Sequence, residues 1–215
     1  MEIAGWEEKY RALGRGREEA PTILLLETVA CLAPGNAIDL ACGAGRHALY
    51  LAERGWTVTA VDGSETAVEL LRERSAARGL AMQTIVADLT AADFTLPPDA
   101  FDLIVVAYYL QRDLFAKVKA AVRPGGLVLA IAHTPEDGEV SSEKRVAPGE
   151  LRGFFTTWQI LHDYEGPSRD PAHRRPVAEI VARHAGKLRG SLEKRHADPT
   201  ISKPLHQNVG LHQRI

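Results

Sequence analysis

The sequence predicts a doubly wound α/β fold on a mostly parallel sheet, and three observations carry that prediction. Short apolar runs alternate with amphipathic stretches, each change of period is marked by Gly, Pro or Asp, and only the last two apolar runs are too close together for a connecting helix. The 215 residues suffice for one large domain, or one domain with a short appendage.

The elements follow in order. Trp6 and Tyr10 stand four apart on an N-terminal helix. Residues 21–33 read as helix, with Pro21 suited to a first turn and Pro34-Gly35 stopping it. A first strand spans 37–42, a helix 46–54, a second strand 57–62 and a longer helix 64–78, with Ser64 as its N-cap and Gly79 as its stop. Residues 82–88 make a third strand. Residues 101–108, continuously apolar and β-branched, read as a central strand buried on both faces. Helix returns at 110–122, and Arg123-Pro-Gly-Gly126 stops it before a fifth strand at 127–133. Residues 135–148 read as polar loop and 149–155 as one or two helical turns. The runs 157–164 and 175–183 should pair as a hairpin, which makes one edge strand antiparallel. From Gly186 onward six Lys/Arg face two acids with little apolar period, so 186–215 is expected to be a mobile basic tail.

Composition excludes several functions. With 26 Lys+Arg against 28 Asp+Glu the formal net charge is -2, so no overall field attracts nucleic acid or an anionic membrane. The longest apolar runs, 103–110 and 127–132, fall far short of the roughly 20 residues of a bilayer span. The first residues mix acids and bases without an apolar signal core, which points to the cytoplasm. Cys31 and Cys42 are read as reduced, mostly buried thiols. The eight His show no HxxxH or Cys/His clustering, so no metal is expected, and no aromatics interleave with a basic stripe as nucleic-acid binding would need.

The informative segment is Ala37-Ile-Asp-Leu-Ala-Cys-Gly-Ala-Gly-Arg-His47, an apolar strand running into a glycine turn and a helix. Gly43 and Gly45 remove Cβ atoms where backbone N–H groups face a ligand near a helix N-terminus. Asp62 closes the next strand 23 residues after Asp39, where a carboxylate can accept from both hydroxyls of a ribose. Both features suit a nucleoside-bearing ligand. The run Gly43-Ala-Gly45-Arg-His-Ala48 also satisfies a loose dinucleotide fingerprint. Asp39 argues against it, since a carboxylate before the glycines repels a pyrophosphate but suits a ligand presenting an ammonium and a sulfonium. S-adenosylmethionine is favoured over NAD, and the short chain agrees, since a dinucleotide dehydrogenase needs six parallel strands and a substrate domain.

The chain resembles the class I S-adenosylmethionine-dependent methyltransferases, in particular the small-molecule branch with the tellurite-resistance and thiopurine enzymes. The resemblance spans roughly residues 6–185. It rests on Asp39-Leu-Ala-Cys-Gly-Ala-Gly45-Arg-His, Val61-Asp62-Gly-Ser64, Val86-Ala-Asp88-Leu89, Phe101-Asp-Leu-Ile-Val-Val, Leu110-Gln-Arg-Asp-Leu-Phe115 and Arg123-Pro-Gly-Gly126, in that order. It implies a Rossmann-like sheet of seven strands in the order 3-2-1-4-5-7-6 with strand 7 antiparallel, in a domain over 1–185 whose first 20 residues cover the cofactor.

The resemblance also implies roles. Ala41, Gly43 and Gly45, followed by Arg46, would lie along the methionine part of S-adenosylmethionine, with Asp39 toward its amino group. Asp62 would hold the ribose, Gly63 and Ser64 would lie beside the adenine, and Asp88 and Leu89 would take its edge. Ala107 and Tyr108 would face the sulfonium and the acceptor. Most members have Gly where this chain has Ala41. Each carboxylate also has a local reading: Asp39 bonding backbone N–H groups, Asp62 capping a helix, Asp88 opening a turn.

The expected activity is methyl transfer to a small-molecule acceptor by in-line displacement, with positioning supplying most of the catalysis. His133 and Tyr108 are the candidate catalytic residues, with Tyr109 and Arg112 as further acceptor contacts; a soft nucleophile would need no base. Arg169, His173, Arg174 and Arg175 read as a solvated basic loop. The rival readings are a non-catalytic S-adenosylmethionine-binding or regulatory protein on the same fold, and an NAD-dependent oxidoreductase. Nothing in the sequence indicates an oligomeric state.

Overall fold

A computed structural model describes residues 3–13, 20–136 and 143–186. The expected basic tail, apart from Gly186, lies outside the described residues. Seven strands form one sheet in the order β3-β2-β1-β4-β5-β7-β6. They are β1 (Asn36–Leu40), β2 (Thr57–Asp62), β3 (Gln83–Val86), β4 (Phe101–Ala107), β5 (Val122–His133), β6 (Gln159–Gly166) and β7 (Val177–Arg183). The first five pair in parallel, and β7 runs antiparallel to both β5 and β6. The antiparallel strand is therefore held on both sides, and β6 takes the edge that the hairpin reading had assigned to an antiparallel strand.

Side-chain alternation explains why β4 reads as continuously apolar. Ile104 and Val106 pack with Ile38 and Leu40 of β1 against α5 (Leu114–Ala121) and the short α6 (Glu150–Gly153). Leu103 and Val105 point to the opposite face, with Leu24 and Leu25 of α2 (Ile23–Val29), Leu49 and Leu51 of α3 (Arg46–Glu53), and Leu71 of α4 (Glu65–Ala77). Each face of the strand has its own helical cover, so neither face can be polar. The remaining helix, α1 (Ile3–Leu13), packs against α4.

Local chemistry sets the element ends. Thr22 caps α2, its Oγ1 accepting from Leu25 N at 3.3 Å, so the helix starts two residues after Pro21 and ends at Val29. Turns through Gln111 and Arg112 delay α5 until Leu114. Arg123-Pro-Gly-Gly126 is not a break before β5 but a bulge within it: Val122 already pairs with Phe101, and regular pairing resumes at Leu103 and Leu127. The Asp102 carboxylate stabilises this bulge, accepting from Arg123 at 2.9 Å and from Asn36 N at 2.8 Å, which ties the starts of β1 and β5 to β4.

The parallel arrangement brings the carboxyl ends of β1, β2, β3 and β4 to one edge, with the strand order reversing between β1 and β4. That is where open α/β sheets form a ligand crevice. Among the described residues no helix is long and apolar enough to cross a membrane.

Ile104 is fully buried at the centre of this sheet. Ile104→Ala should cost about 2–5 kcal/mol of unfolding free energy and Ile104→Val about 1 kcal/mol, read from urea unfolding with an unchanged slope.

Candidate functional site

The glycine turn after β1 is built by backbone hydrogen bonds: Cys42 N donates to Val61 O and Gly45 N to Cys42 O, both at 3.0 Å. Ala41, Gly43 and Gly45 have φ of 54°, 55° and 85°, in the left-handed region. A Cβ on Gly43 would lie 2.2 Å from Tyr10 Oη, and one on Gly45 would lie 2.1 Å from Leu71 Cδ1. These glycines thus let α1 and α4 approach the turn as closely as they do. Ala41 bears the strain of its conformation with a methyl group, on the order of 1 kcal/mol.

Asp62 fixes the turn from the neighbouring strand. Its Oδ2 accepts from Gly43 N at 2.7 Å and its Oδ1 from Ser64 N at 2.8 Å. Burial raises its carboxyl above the ordinary value, against which these N–H bonds work. Ser64 meanwhile caps α4, its Oγ accepting from Ala67 N at 3.1 Å. Capping therefore does not require Asp62.

A cavity of about 680 Å³ opens above the turn. Every residue expected along the cofactor lines it, from Ala41, Gly43, Gly45 and Arg46 through Asp62, Gly63 and Ser64 to Asp88, Leu89, Ala107 and Tyr108, with the single exception of Asp39. Asp39 lies outside the wall, 1% exposed, and its Oδ2 has no hydrogen-bond partner. Burial pushes its carboxyl up to about 7, with Arg46 opposing the shift. Asp88 lines the cavity while its Oδ1 accepts from Thr90 N and Oγ1 at 2.8 and 2.7 Å, so it also opens a turn. Ile3, Trp6, Lys9 and Tyr10 of α1 complete the wall on one side. Glu7 fastens that helix, accepting from Thr66 N at 3.2 Å and Thr66 Oγ1 at 2.5 Å.

The opposite side is formed by the end of β4 and the β6–β7 loop. Tyr108 has φ 59°, its N–H donates to Ile131 O at 2.7 Å, and its ring stacks on His173 with centroids 3.5 Å apart and planes 4° from parallel. Its hydroxyl donates to Asp170 Oδ2 at 3.0 Å, and Arg46 Nη1 donates to the same oxygen at 2.8 Å. Burial and the Asp170 charge hold the Tyr108 phenol protonated. Burial, aided by Arg46, pushes His173 down to about 4 and His47 to about 3, so both imidazoles are neutral.

Other expected acceptor contacts fall elsewhere. His133 is not in the cavity wall; its ring sits 5.4 Å from those of both Tyr108 and His173, and burial lowers its pKa. Arg112 lies away from the cavity and pairs with Glu150, with bonds of 2.6 and 3.0 Å. Tyr109, half-buried, does line it.

The solvated-loop reading of the basic patch needs correction. His173 and Ala172 line the cavity, the exposed Arg169 donates to both oxygens of Glu27 at 3.1 Å and to the buried Glu179 at 3.4 Å, and the exposed Arg175 pairs with Glu136 at 3.6 Å. Sequence reasoning missed Asp170 and His47. Asp170 sits in a turn-forming stretch where an acid needs no special reason, and only the fold brings it to Arg46. His47 directly follows the glycine-turn motif, lines the cavity, and its buried Nε2 has no partner. Among the described residues no group of three or more His, Cys, Asp or Glu could hold a metal.

Residues 37–126 match the family described as "Methyltransferase domain". A probable S-adenosyl-L-methionine-dependent methyltransferase, TehB of Haemophilus influenzae, is 26% identical over 64% of this chain and 50% of its own. The 2-heptyl-1-hydroxyquinolin-4(1H)-one methyltransferase of Mycobacteroides abscessus is 44% identical over 60% of each chain. The crystal structure of TehB from Haemophilus influenzae superposes with a TM-score of 0.64 and 26% identity, covering 74% of this chain and 60% of that one. The chain spans about half the length of the first curated relatives it matches.

The raised Asp39 pKa has a stability consequence. Between pH about 4 and 7 the unfolded carboxyl ionises while the folded one keeps its proton, so its contribution is lost as pH rises through that window. Asp39→Asn should therefore match the parent in thermal midpoint near pH 4 and exceed it at pH 8, measured by differential scanning calorimetry.

Proposed function

We propose that this chain, whose residues 37–126 match a methyltransferase-domain family, moves the methyl group of S-adenosylmethionine to a small-molecule acceptor. The observation that carries the reading is one continuous wall running from Asp88 past Asp62 and the glycine turn to Tyr108 and His173. Its chemistry follows the ligand's: acceptors for an adenine amine and ribose hydroxyls, then backbone, then aromatic rings. Each Asp62 oxygen accepts one described backbone bond and keeps a lone pair for a hydroxyl. Asp39 Oδ2, buried without a partner, fits a cationic amino group close enough to act directly or through water. When bound, S-adenosylmethionine supplies a methyl group already activated by its sulfonium.

The chain's own contribution is then to orient, to exclude water and to hold the acceptor in line. Ala41, Gly43, Gly45 and Arg46 would flank the amino-acid part of the ligand, Gly63, Ser64 and Leu89 the adenine, and Ala107 the reacting end. Of the expected cover over residues 1–20, α1 would close the cavity with Trp6 and Tyr10 while Glu7 holds the helix down, and residues 1–2 and 14–19 lie outside the described residues. Tyr108 and His173 would form the acceptor face. Tyr108 serves there through its ring face and not as a base, since its phenol stays protonated and its one O–H is given to Asp170, and the His133 ring lies 5.4 Å from both rings, outside the cavity wall. Positioning is the main catalytic effect.

An aromatic hydroxyl acceptor that attacks as its anion, its proton already lost to solvent so that the site needs no base, is the more specific reading. It is supported by the paired ring faces of Tyr108 and His173 and by the relative named for an N-hydroxylated quinolone.

Calorimetry with S-adenosylhomocysteine and NAD tests the donor: micromolar affinity for the first and none for the second is expected, and the reverse would make the chain a dinucleotide enzyme. Asp62→Asn should weaken S-adenosylhomocysteine at least tenfold. Release of S-adenosylhomocysteine across thiols, phenols, N-hydroxylated heteroaromatics and chalcogen oxyanions tests turnover; binding without any turnover would favour a regulatory role.

A further inference from the structure

The β6–β7 loop, residues 167–176, is fastened on two sides by adjacent residues of opposite charge. Arg169 reaches to Glu27 of α2 and Glu179 of β7. Asp170 reaches the other way. Its Oδ2 accepts from Arg46 Nη1 at 2.8 Å and Tyr108 Oη at 3.0 Å, and its Oδ1 accepts from Ala172 N at 2.9 Å. The side chains of Arg46 and Asp170 keep only 11% and 9% of their exposure, so salt screens the pair little.

Of the two partners of Asp170, Arg46 belongs to the cofactor cradle and Tyr108 stands where the cradle meets the acceptor face. Arg46 opens α3 immediately after the glycine turn, and Tyr108 ends β4 in a left-handed conformation that only its surroundings can maintain. Three residues beyond Asp170, His173 stacks on Tyr108 and supplies part of the acceptor side of the cavity. One carboxylate oxygen therefore joins the loop, the strand end and the helix start.

We propose that Asp170 is a positioning residue that fastens the acceptor-side wall to the cofactor cradle, so that closure of the β6–β7 loop and occupancy of the cradle are coupled. The inference rests on the cradle holding S-adenosylmethionine, as proposed above. Coupling of this kind is reciprocal: a ligand that steadies Arg46 and Tyr108 steadies the loop, and loosening the loop weakens that ligand by the same factor.

Hydrogen–deuterium exchange with S-adenosylhomocysteine as the probe tests this on the full chain. In the parent protein the probe should slow exchange of residues 168–175 at least tenfold. Asp170→Asn should speed exchange of the ligand-free loop at least tenfold, leave β1 and β4 at parent rates, and weaken the probe five- to tenfold by calorimetry. Tyr108→Phe should do the same to a smaller extent, and the double variant should be no weaker than Asp170→Asn alone. Loop exchange at the parent rate in Asp170→Asn, an unchanged affinity, or faster exchange throughout the sheet would each overturn the proposal. A parent protein that fails to bind the probe would sink the cofactor reading instead, and the ligand-free exchange of Asp170→Asn would still decide whether Asp170 holds the loop.

Discussion

Asp62 takes the N–H of Gly43 on one carboxylate oxygen and that of Ser64 on the other, and so joins the turn after β1 to the turn after β2. Everything at the carboxyl edge of the sheet is positioned from that junction. It holds the glycine turn in its left-handed course, and the turn in turn starts α3 and sets where Arg46 and His47 begin. On the other side it leads into the Ser64 cap and α4, whose Leu71 fills the space that Gly45 leaves. A carboxylate buried this far is costly unless its oxygens are occupied, and the two N–H groups are what make the site tolerable before any ligand arrives.

The parallel sheet was legible because each strand of its core is a short apolar run bounded by Gly, Pro or Asp, and helices on both faces require that pattern at β4, whereas the strand order followed only from the family resemblance. The lining of the cavity was legible because those residues lie in sequence-local motifs: a turn, a strand end, a helix cap. The Arg123–Gly126 stretch misled because Pro and Gly look alike as a stop and as a bulge, and the difference lies in Asp102, which is distant in sequence and joins the two edges of that bulge. Asp170 could not be read for the same reason. Its partners Arg46 and Tyr108 lie 124 and 62 residues away, and only the insertion of β7 beside β5 brings them together.

The two halves of the cavity thus differ in kind. The half proposed for the cofactor is made of backbone and short side chains at the ends of adjacent parallel strands, and it inherits their rigidity. The half proposed for the acceptor is made of side chains, Tyr108 at the end of β4 and His173 on the β6–β7 loop, which present ring faces, and the neutral His173 keeps the local charge low. His133, at the end of β5, lies outside the wall with its ring 5.4 Å from both of those rings.

The hairpin formed by β6 and β7 is contiguous in the chain, and β6 has a neighbour on only one side. Its loop can therefore lengthen, shorten or change composition with little entropic penalty and without altering the register of β1, β2 or β4. On the proposed function, substrate range in this architecture is modular: grafting a foreign loop between β6 and β7 would retarget the proposed transfer while the glycine-turn side stays as it is, provided the graft retains a carboxylate able to meet Arg46.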